Sequence, residues 1–207
     1  LLFTYGFRTQ ELIAYDAHMR PLTWDNVRFT PETPNPEGNA SNPHGWIWYV
    51  PQKQKWAKPD PLYLPLTPQC RCVIDRLAIA AGIDTSKPIA AELLEQPLLP
   101  MPRSSARLYD HWDRLLDRCE LRPKQPVNAI KPLRFDFKHA RKTAATLLDN
   151  HFPGLADMVI GWGDRDASVQ RSRVSRTHYI VDEHVVVKQL LSVSFPACFS
   201  LCALEVQ

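Results

Sequence analysis

Arg8 and Glu11 stand three apart in "YGFRTQEL", and Lys138 and Arg141 stand three apart in "KHARKTAATLL". Three lysines, Lys53, Lys55 and Lys58, crowd "KQKWAK". Guanidinium forks grip paired oxygens in bidentate fashion, and an ammonium can hand over a proton, so such a set suits a phosphodiester better than a neutral substrate. Tyr179, in "RTHYIV", is the single tyrosine after Tyr109, and its phenol could serve as a nucleophile. The same residues also fit plainer roles. Arg8 with Glu11 describes a surface ion pair worth about 0.3–0.5 kcal/mol. The three lysines describe a solvated turn, Lys138 and Arg141 the solvated face of an amphipathic helix, and Trp162 a core aromatic.

Other chemistries find little support. The 207 residues hold no Gly-rich phosphate loop, no H-E-x-x-H and no C-x-x-C pair, and seven glycines leave little backbone to cradle a phosphate. No metal and no cofactor is expected. The net charge of +3 is too small to indicate a nucleic-acid protein by itself, but its placement is informative. Five Lys/Arg fall between Lys131 and Lys142, and four Arg between Arg165 and Arg176. Cys70, Cys72, Cys119, Cys198 and Cys202 are odd in number and suggest neither a zinc knuckle nor a closed disulfide framework, which fits a reducing cytosol. The apolar tail from Val185 is interrupted by Lys188, Gln189 and Pro196, so neither a signal peptide nor a membrane span is expected.

The elements that must position these residues follow from patterning. Leu1 to about Tyr15 reads as one helix with Arg8 and Glu11 on one face. It opens without a start Met or cap, so the chain is expected to be a fragment beginning inside a helix. "LTWDNVRF" suggests a turn into a strand. Residues 30–45, rich in Pro, Asn and Gly, read as a long, disordered-looking surface loop. "WIWYV" and "LYLPL" read as the two strands of a hairpin with a basic connection. From Thr67 the chain turns helical, with Thr67 and Pro68 as cap and first turn, Val73, Leu77 and Ala80 as the stripe, and Gly82 as the stop. A second helix carries Leu108, Trp112, Leu115, Leu116 and Cys119 as its stripe. Between them a short helix precedes a proline-limited loop. "FDFKHARKTAATLLDN" and "PGLADMVIGWG" predict two more helices, the first anchored by Thr143, Ala144, Leu147 and Leu148. A last helix is expected near Val185 to Val193. The fold class is α+β, mainly α-helical, with a small antiparallel sheet or hairpin in the N-terminal third.

Taken in order, "YGFRTQEL", "KQKWAKPDPLYLPL", "KHARKTAATLL", "IGWG" and "RTHYIV" resemble the successive boxes of the catalytic domain of the tyrosine recombinase (phage integrase) family. "LTWDNV" is similar to the family's "LRWSDI". The resemblance implies a site-specific DNA strand transferase that cuts and rejoins DNA through a 3′-phosphotyrosyl intermediate, and it implies the site residues Arg8, Lys55, Lys138, Arg141, Trp162 and Tyr179. Tyr179 would attack the phosphorus, Arg8 and Arg141 would hold the non-bridging oxygens, and Lys55 would protonate the leaving 5′ oxygen, with Lys53 and Lys58 as substitutes in that role. Lys138 would share the tyrosine proton in place of a histidine, the register excluding His139, and Trp162 would pack near the tyrosine segment. The segment from Trp162 to Tyr179, 17 residues, and the gap from Arg8 to the hairpin are longer than the family's.

The implied organisation is a catalytic domain over residues 1–193 with a tail over 194–207, without the family's N-terminal DNA-clamping domain. Implied partners are double-stranded DNA and further copies of the chain, as a tetramer on DNA held through the C-terminal segment, in the bacterial cytoplasm. A non-catalytic DNA-binding remnant of an integrase and a type IB topoisomerase-like enzyme are the alternatives.

Overall fold

The computed structural model describes residues 1–13, 20–50, 61–99, 104–118, 120, 136–160 and 183–195. The chain opens with two single turns, not with the one helix expected to run to about Tyr15. α1 (Leu2–Tyr5) stops at Gly6, whose φ of 60° is left-handed, a conformation that costs a residue with a Cβ roughly 1–2 kcal/mol. The backbone is extended at Arg8, which precedes α2 (Thr9–Leu12), and extended again at Ile13. Gly6 and Arg8 therefore break the helical pattern that the apolar spacing suggested. Arg8 and Glu11 still meet, because Glu11 sits at the third helical position and its carboxylate accepts the Arg8 backbone N–H at 2.6 Å.

A three-stranded antiparallel sheet follows, in the order β1 (Val27–Arg28), β2 (Trp46–Tyr49), β3 (Leu62–Pro65). A 3-10 turn over Trp24–Asn26 leads into it, with the Asn26 side chain accepting the Thr23 N–H at 2.8 Å. The register pairs Val27 with Ile47, Ile47 with Leu64, and Tyr49 with Leu62. Pro65 ends β3, an edge strand, where a missing N–H is tolerated. β2 is buried on both faces: Ile47 and Tyr49 enter the main core, while Trp46 packs on the other side with Ala40 and Val187. Buried Trp46, Ile47 and Tyr49 thus replace the alternation of a half-exposed strand.

Residues 30–45 form no helix or strand, but the disordered-looking reading does not hold. Asn42 is fully buried and its Nδ2 donates to the carbonyls of Gly45 at 2.6 Å and Leu66 at 2.9 Å. Trp46 Nε1 donates to the Pro31 carbonyl at 2.7 Å. Side-chain hydrogen bonds thus supply the order that a ladder would otherwise give.

α3 (Pro68–Ala80) starts where expected, with the Thr67 hydroxyl accepting the Cys70 N–H at 3.3 Å. Its buried stripe is Cys70, Ile74 and Ala78; Leu77 is half-buried, Val73 only partly covered, and Ala80 exposed. The helix is rotated by about one residue from the expected phase, since Cys70, Ile74 and Ala78 also repeat every four residues and present the larger buried Ile74. α4 (Ala91–Leu94) is the short helix anticipated before the proline-rich stretch. α5 (Ser105–Arg118) buries Leu108 and Leu116 and half-buries Trp112, but Leu115 is 50% exposed.

α6 (Phe137–His151) and α7 (Leu155–Ile160) form the two helices read from "FDFKHARKTAATLLDN" and "PGLADMVIGWG". α6 buries Phe137, Ala140, Ala144, Ala145 and Leu148, whereas Thr143, expected in its anchor, is exposed. Three alanines on one face let α6 approach α1 closely, and Phe137 fixes its start against the rings of Trp112 and Tyr109, with centroids 4.6 and 5.5 Å away. α8 (Glu183–Ser192) is the last described helix and buries Val187 and Leu190. The chain is therefore mixed helix and strand, and no helix among the described residues is long and apolar enough to cross a membrane.

A Cβ placed on Gly6 would lie 2.8 Å from Ile160 Cδ1, adding overpacking to left-handed strain. Gly6→Ala is expected to lose about 2–4 kcal/mol in urea unfolding. At Gly82, also left-handed but with open space around the added carbon, the same change should cost only about 1 kcal/mol.

Candidate functional site

Arg8 and Arg141 are far apart in sequence, and the fold brings both to one carboxylate. Arg8 Nη1 lies 3.7 Å from Glu11 Oε1, and Arg141 Nη1 lies 3.9 Å from Glu11 Oε2. Glu11 is 3% exposed, so a buried carboxylate joins the two guanidiniums. The position of each follows from its local backbone. Gly6 lets the chain turn so that Arg8 caps α2, and Arg141 rises from the second turn of α6 toward α1. There its Nη1 donates to the Gly6 carbonyl, and its Nη2 donates to the Ile160 carbonyl at 3.1 Å. The Arg141 guanidinium thus caps the last carbonyl of α7, where a cation is favoured.

The hairpin is tied to the same place. The Tyr5 hydroxyl donates to the Pro65 carbonyl at 3.0 Å and accepts the Thr67 N–H at 3.1 Å, fixing α1 to the end of β3. Phe7, next to Arg8, meets the Tyr49 ring edge-on with centroids 4.7 Å apart. Tyr49 closes β2 beside the guanidinium pair. Burial first, and the negative charge of Glu11 second, push its hydroxyl well above the ordinary tyrosine range. Tyr49 is therefore held as a neutral phenol, unsuited to nucleophilic attack.

Lys138 stands on the first turn of α6, 67% exposed, with its Nζ 3.7 Å from Asp136 Oδ2. A cation there opposes the helix dipole, and Asp136 offsets it. His139 plays a different part, since its Nδ1 accepts the Asp136 backbone N–H at 2.9 Å and closes the start of α6. Of the residues singled out from the sequence, Arg8 and Arg141 are brought together, and Lys138 lies one helical turn before Arg141 on the solvent side. Lys53, Lys55, Lys58, Trp162 and Tyr179 lie outside the described residues.

Sequence reasoning paired Glu11 with Arg8 alone. That Glu11 also serves Arg141 had no signal in spacing, because α6 returns to α2 only in the folded chain. Two arginines and one carboxylate sum to +1 (2 − 1) when Glu11 is ionised, the complement of one phosphodiester. Among the described residues no group of His, Cys, Asp and Glu could hold a metal ion. Comparison with protein-family models, with curated proteins and with solved structures finds no match to this chain.

Burial raises the Glu11 carboxyl above its ordinary value, outweighing the backbone N–H of Arg8 and the charges of Arg8 and Arg141, which lower it. The folded chain then binds the Glu11 proton more tightly than the unfolded chain, so the contribution of Glu11 to stability is greatest at low pH. It declines as pH rises from the ordinary value of 4.5 through the folded one. Wild type should accordingly lose stability relative to Glu11→Gln as pH climbs through that window. Urea midpoints of both proteins between about pH 4 and 7 check this, and parallel profiles would refute it.

Proposed function

We propose that the chain is the catalytic domain of a site-specific DNA strand transferase of the tyrosine recombinase type. The observation that carries this reading is the convergence of Arg8 and Arg141 on the buried carboxylate of Glu11. Two guanidiniums that share a buried carboxylate, one of them also held by backbone carbonyls, are prepositioned donors, the arrangement that best stabilises charge growing on phosphate oxygens in a pentacoordinate transition state. Lys138, exposed on the same helix as Arg141 and 3.7 Å from Asp136, supports the reading by adding a cation open to solvent.

In this reading the Tyr179 phenolate attacks the scissile phosphorus. The 5′ oxygen departs with a proton from Lys55, or from Lys53 or Lys58 in its stead, and the 3′-phosphotyrosyl bond conserves the energy needed to join a second DNA end. Lys138 shares the proton leaving Tyr179, and Trp162 packs beside the tyrosine segment. Double-stranded DNA is the partner, with further copies of the chain completing the assembly through the C-terminal segment.

A second reading has an observation of its own: Arg141 also binds two backbone carbonyls, so the pair could survive as framework in a non-catalytic DNA-binding remnant. A nicked suicide DNA substrate separates the two. A covalent protein–DNA adduct that Tyr179→Phe abolishes supports the strand transferase; DNA binding without any adduct supports the remnant. Arg141→Lys keeps the charge but loses the fork, and should slow adduct formation about 10²–10³-fold. An unchanged rate would overturn the clamp.

DNA affinity should also fall steeply with salt. Each phosphate contact contributes about 0.9 to the slope of log K against log salt. A salt-insensitive affinity would exclude DNA as the partner.

A further inference from the structure

Glu11 stands between Arg8 and Arg141 and already holds the place of an anion there. Its Oε1 is 3.7 Å from Arg8 Nη1, and its Oε2 is 3.9 Å from Arg141 Nη1. Both contacts are longer than the roughly 2.7–2.9 Å of a charge-assisted hydrogen bond, so neither guanidinium fork is closed on the carboxylate. The side chains of Arg8 and Arg141 are 26% and 11% exposed, whereas Glu11 is buried. An anion arriving from solvent therefore meets the guanidiniums while Glu11 stays out of contact with water.

A phosphodiester lying against both guanidiniums would bring a second negative charge close to the carboxylate. Among the described residues, the groups that act on Glu11 are Arg8 at the head of α2, Arg141 on α6, and Tyr49 at the end of β2. Burial keeps the Tyr49 phenol neutral, so it offers no charge to offset the newcomer. Burial already disfavours the charged form of Glu11 by more than the two arginines relieve. The incoming anion repels the carboxylate and draws on those same cations, and both effects favour a protonated Glu11. A proton on Oε1 leaves Oε2 able to go on accepting the Arg8 backbone N–H at 2.6 Å, so the head of α2 need not move.

We propose that Glu11 is a proton-linked counter-ion: a phosphodiester takes its place at Arg8 and Arg141, and Glu11 takes up one proton from solvent as the anion binds. The proposal rests on reading that pair as the phosphate clamp of the strand transferase. By linkage the proton tightens the anion as much as the anion tightens the proton, and a coupling of about 10–100-fold is expected. Affinity is highest where Glu11 is protonated with or without the anion. It declines as pH rises through the ionisation of Glu11 in the unliganded protein, and levels off once Glu11 is ionised in the complex too. When the DNA leaves, the carboxylate returns to the guanidiniums and keeps them oriented.

The experiment uses the full chain with two probes, a short DNA duplex and sulfate, neither of which titrates in the range where Glu11 ionises. Affinities across that range are compared for wild type and Glu11→Gln, whose uncharged amide keeps a carbonyl to accept the Arg8 N–H. Glu11→Gln should bind DNA as tightly as wild type in acid, and about 10–100-fold more tightly once wild-type Glu11 is ionised. Histidine protonation acts on both proteins alike, so the ratio of affinities reports Glu11. In wild type, the Glu11 carboxyl carbon resonance should titrate at higher pH in sulfate than in chloride of matched ionic strength. That measurement needs no variant and decides the matter if Glu11→Gln does not fold. A ratio of affinities that stays constant with pH, or a Glu11 titration that sulfate leaves in place, overturns the linkage, while adduct formation on the suicide substrate still decides the strand-transferase reading separately. If sulfate moves the Glu11 titration but DNA does not bind, the linkage stands and the strand-transferase reading falls.

Discussion

The arrangement turns on the guanidinium of Arg141. It is a charge in a largely buried position, which is tolerable only because its neighbours are carbonyls and a carboxylate. It binds the carbonyl where α1 ends, the carbonyl where α7 ends, and Glu11 at the head of α2. Three segments of chain are thus gathered around one planar fork, whose geometry a lysine could not reproduce. Gly6 is the accompanying constraint. It turns the chain through a left-handed conformation and leaves room for both Ile160 and the Arg141 stem, an ideal Cβ there being 2.9 Å from Ile160 Cγ1 and 3.3 Å from Arg141 Cγ.

Much of the surrounding fold serves to hold this junction against the sheet. Tyr5 links α1 to the end of β3, and the Phe7 and Tyr49 rings lock the residue before Arg8 onto β2. On the opposite face of β2, Trp46 meets the 30–45 loop and α8. The small sheet therefore separates the main core, where the guanidinium pair is anchored, from the cluster of Trp46, Ala40 and Val187, and α8 reaches both, since its Leu190 is buried in the main core.

Electrostatics points the same way. Lys138 stands in the first turn of α6, where a helix disfavours a cation, and Glu11 is buried where a carboxylate is disfavoured. The Glu11 carboxylate lies between the two guanidiniums, and Lys138 stands one helical turn before Arg141, where Asp136 offsets its charge. Local rules tend to be broken where function is at stake, and a buried carboxylate between two guanidiniums is such a departure.

Element types and their limits were largely legible in the sequence, because caps, prolines and glycines act over a few residues. Thr67 and Pro68 started α3, the aromatic runs at Trp46 and Leu62 made a hairpin, and α6 and α7 fell where periodicity placed them. The phase of each helix was harder to read. Two apolar stripes competed on α3, Leu115 and Thr143 turned outward, and a glycine broke what spacing alone described as one helix. Arg8 and Arg141 could be singled out by residue type and order. Their meeting at Glu11, and the seating of α8 on a loop that composition made look unstructured, depend on contacts between residues more than a hundred positions apart. Local sequence determined which turns, strands and helices form, since each is governed by neighbours along the chain. Which charges share a carboxylate and which face is buried were decided only by tertiary packing, because both depend on what the rest of the chain places opposite.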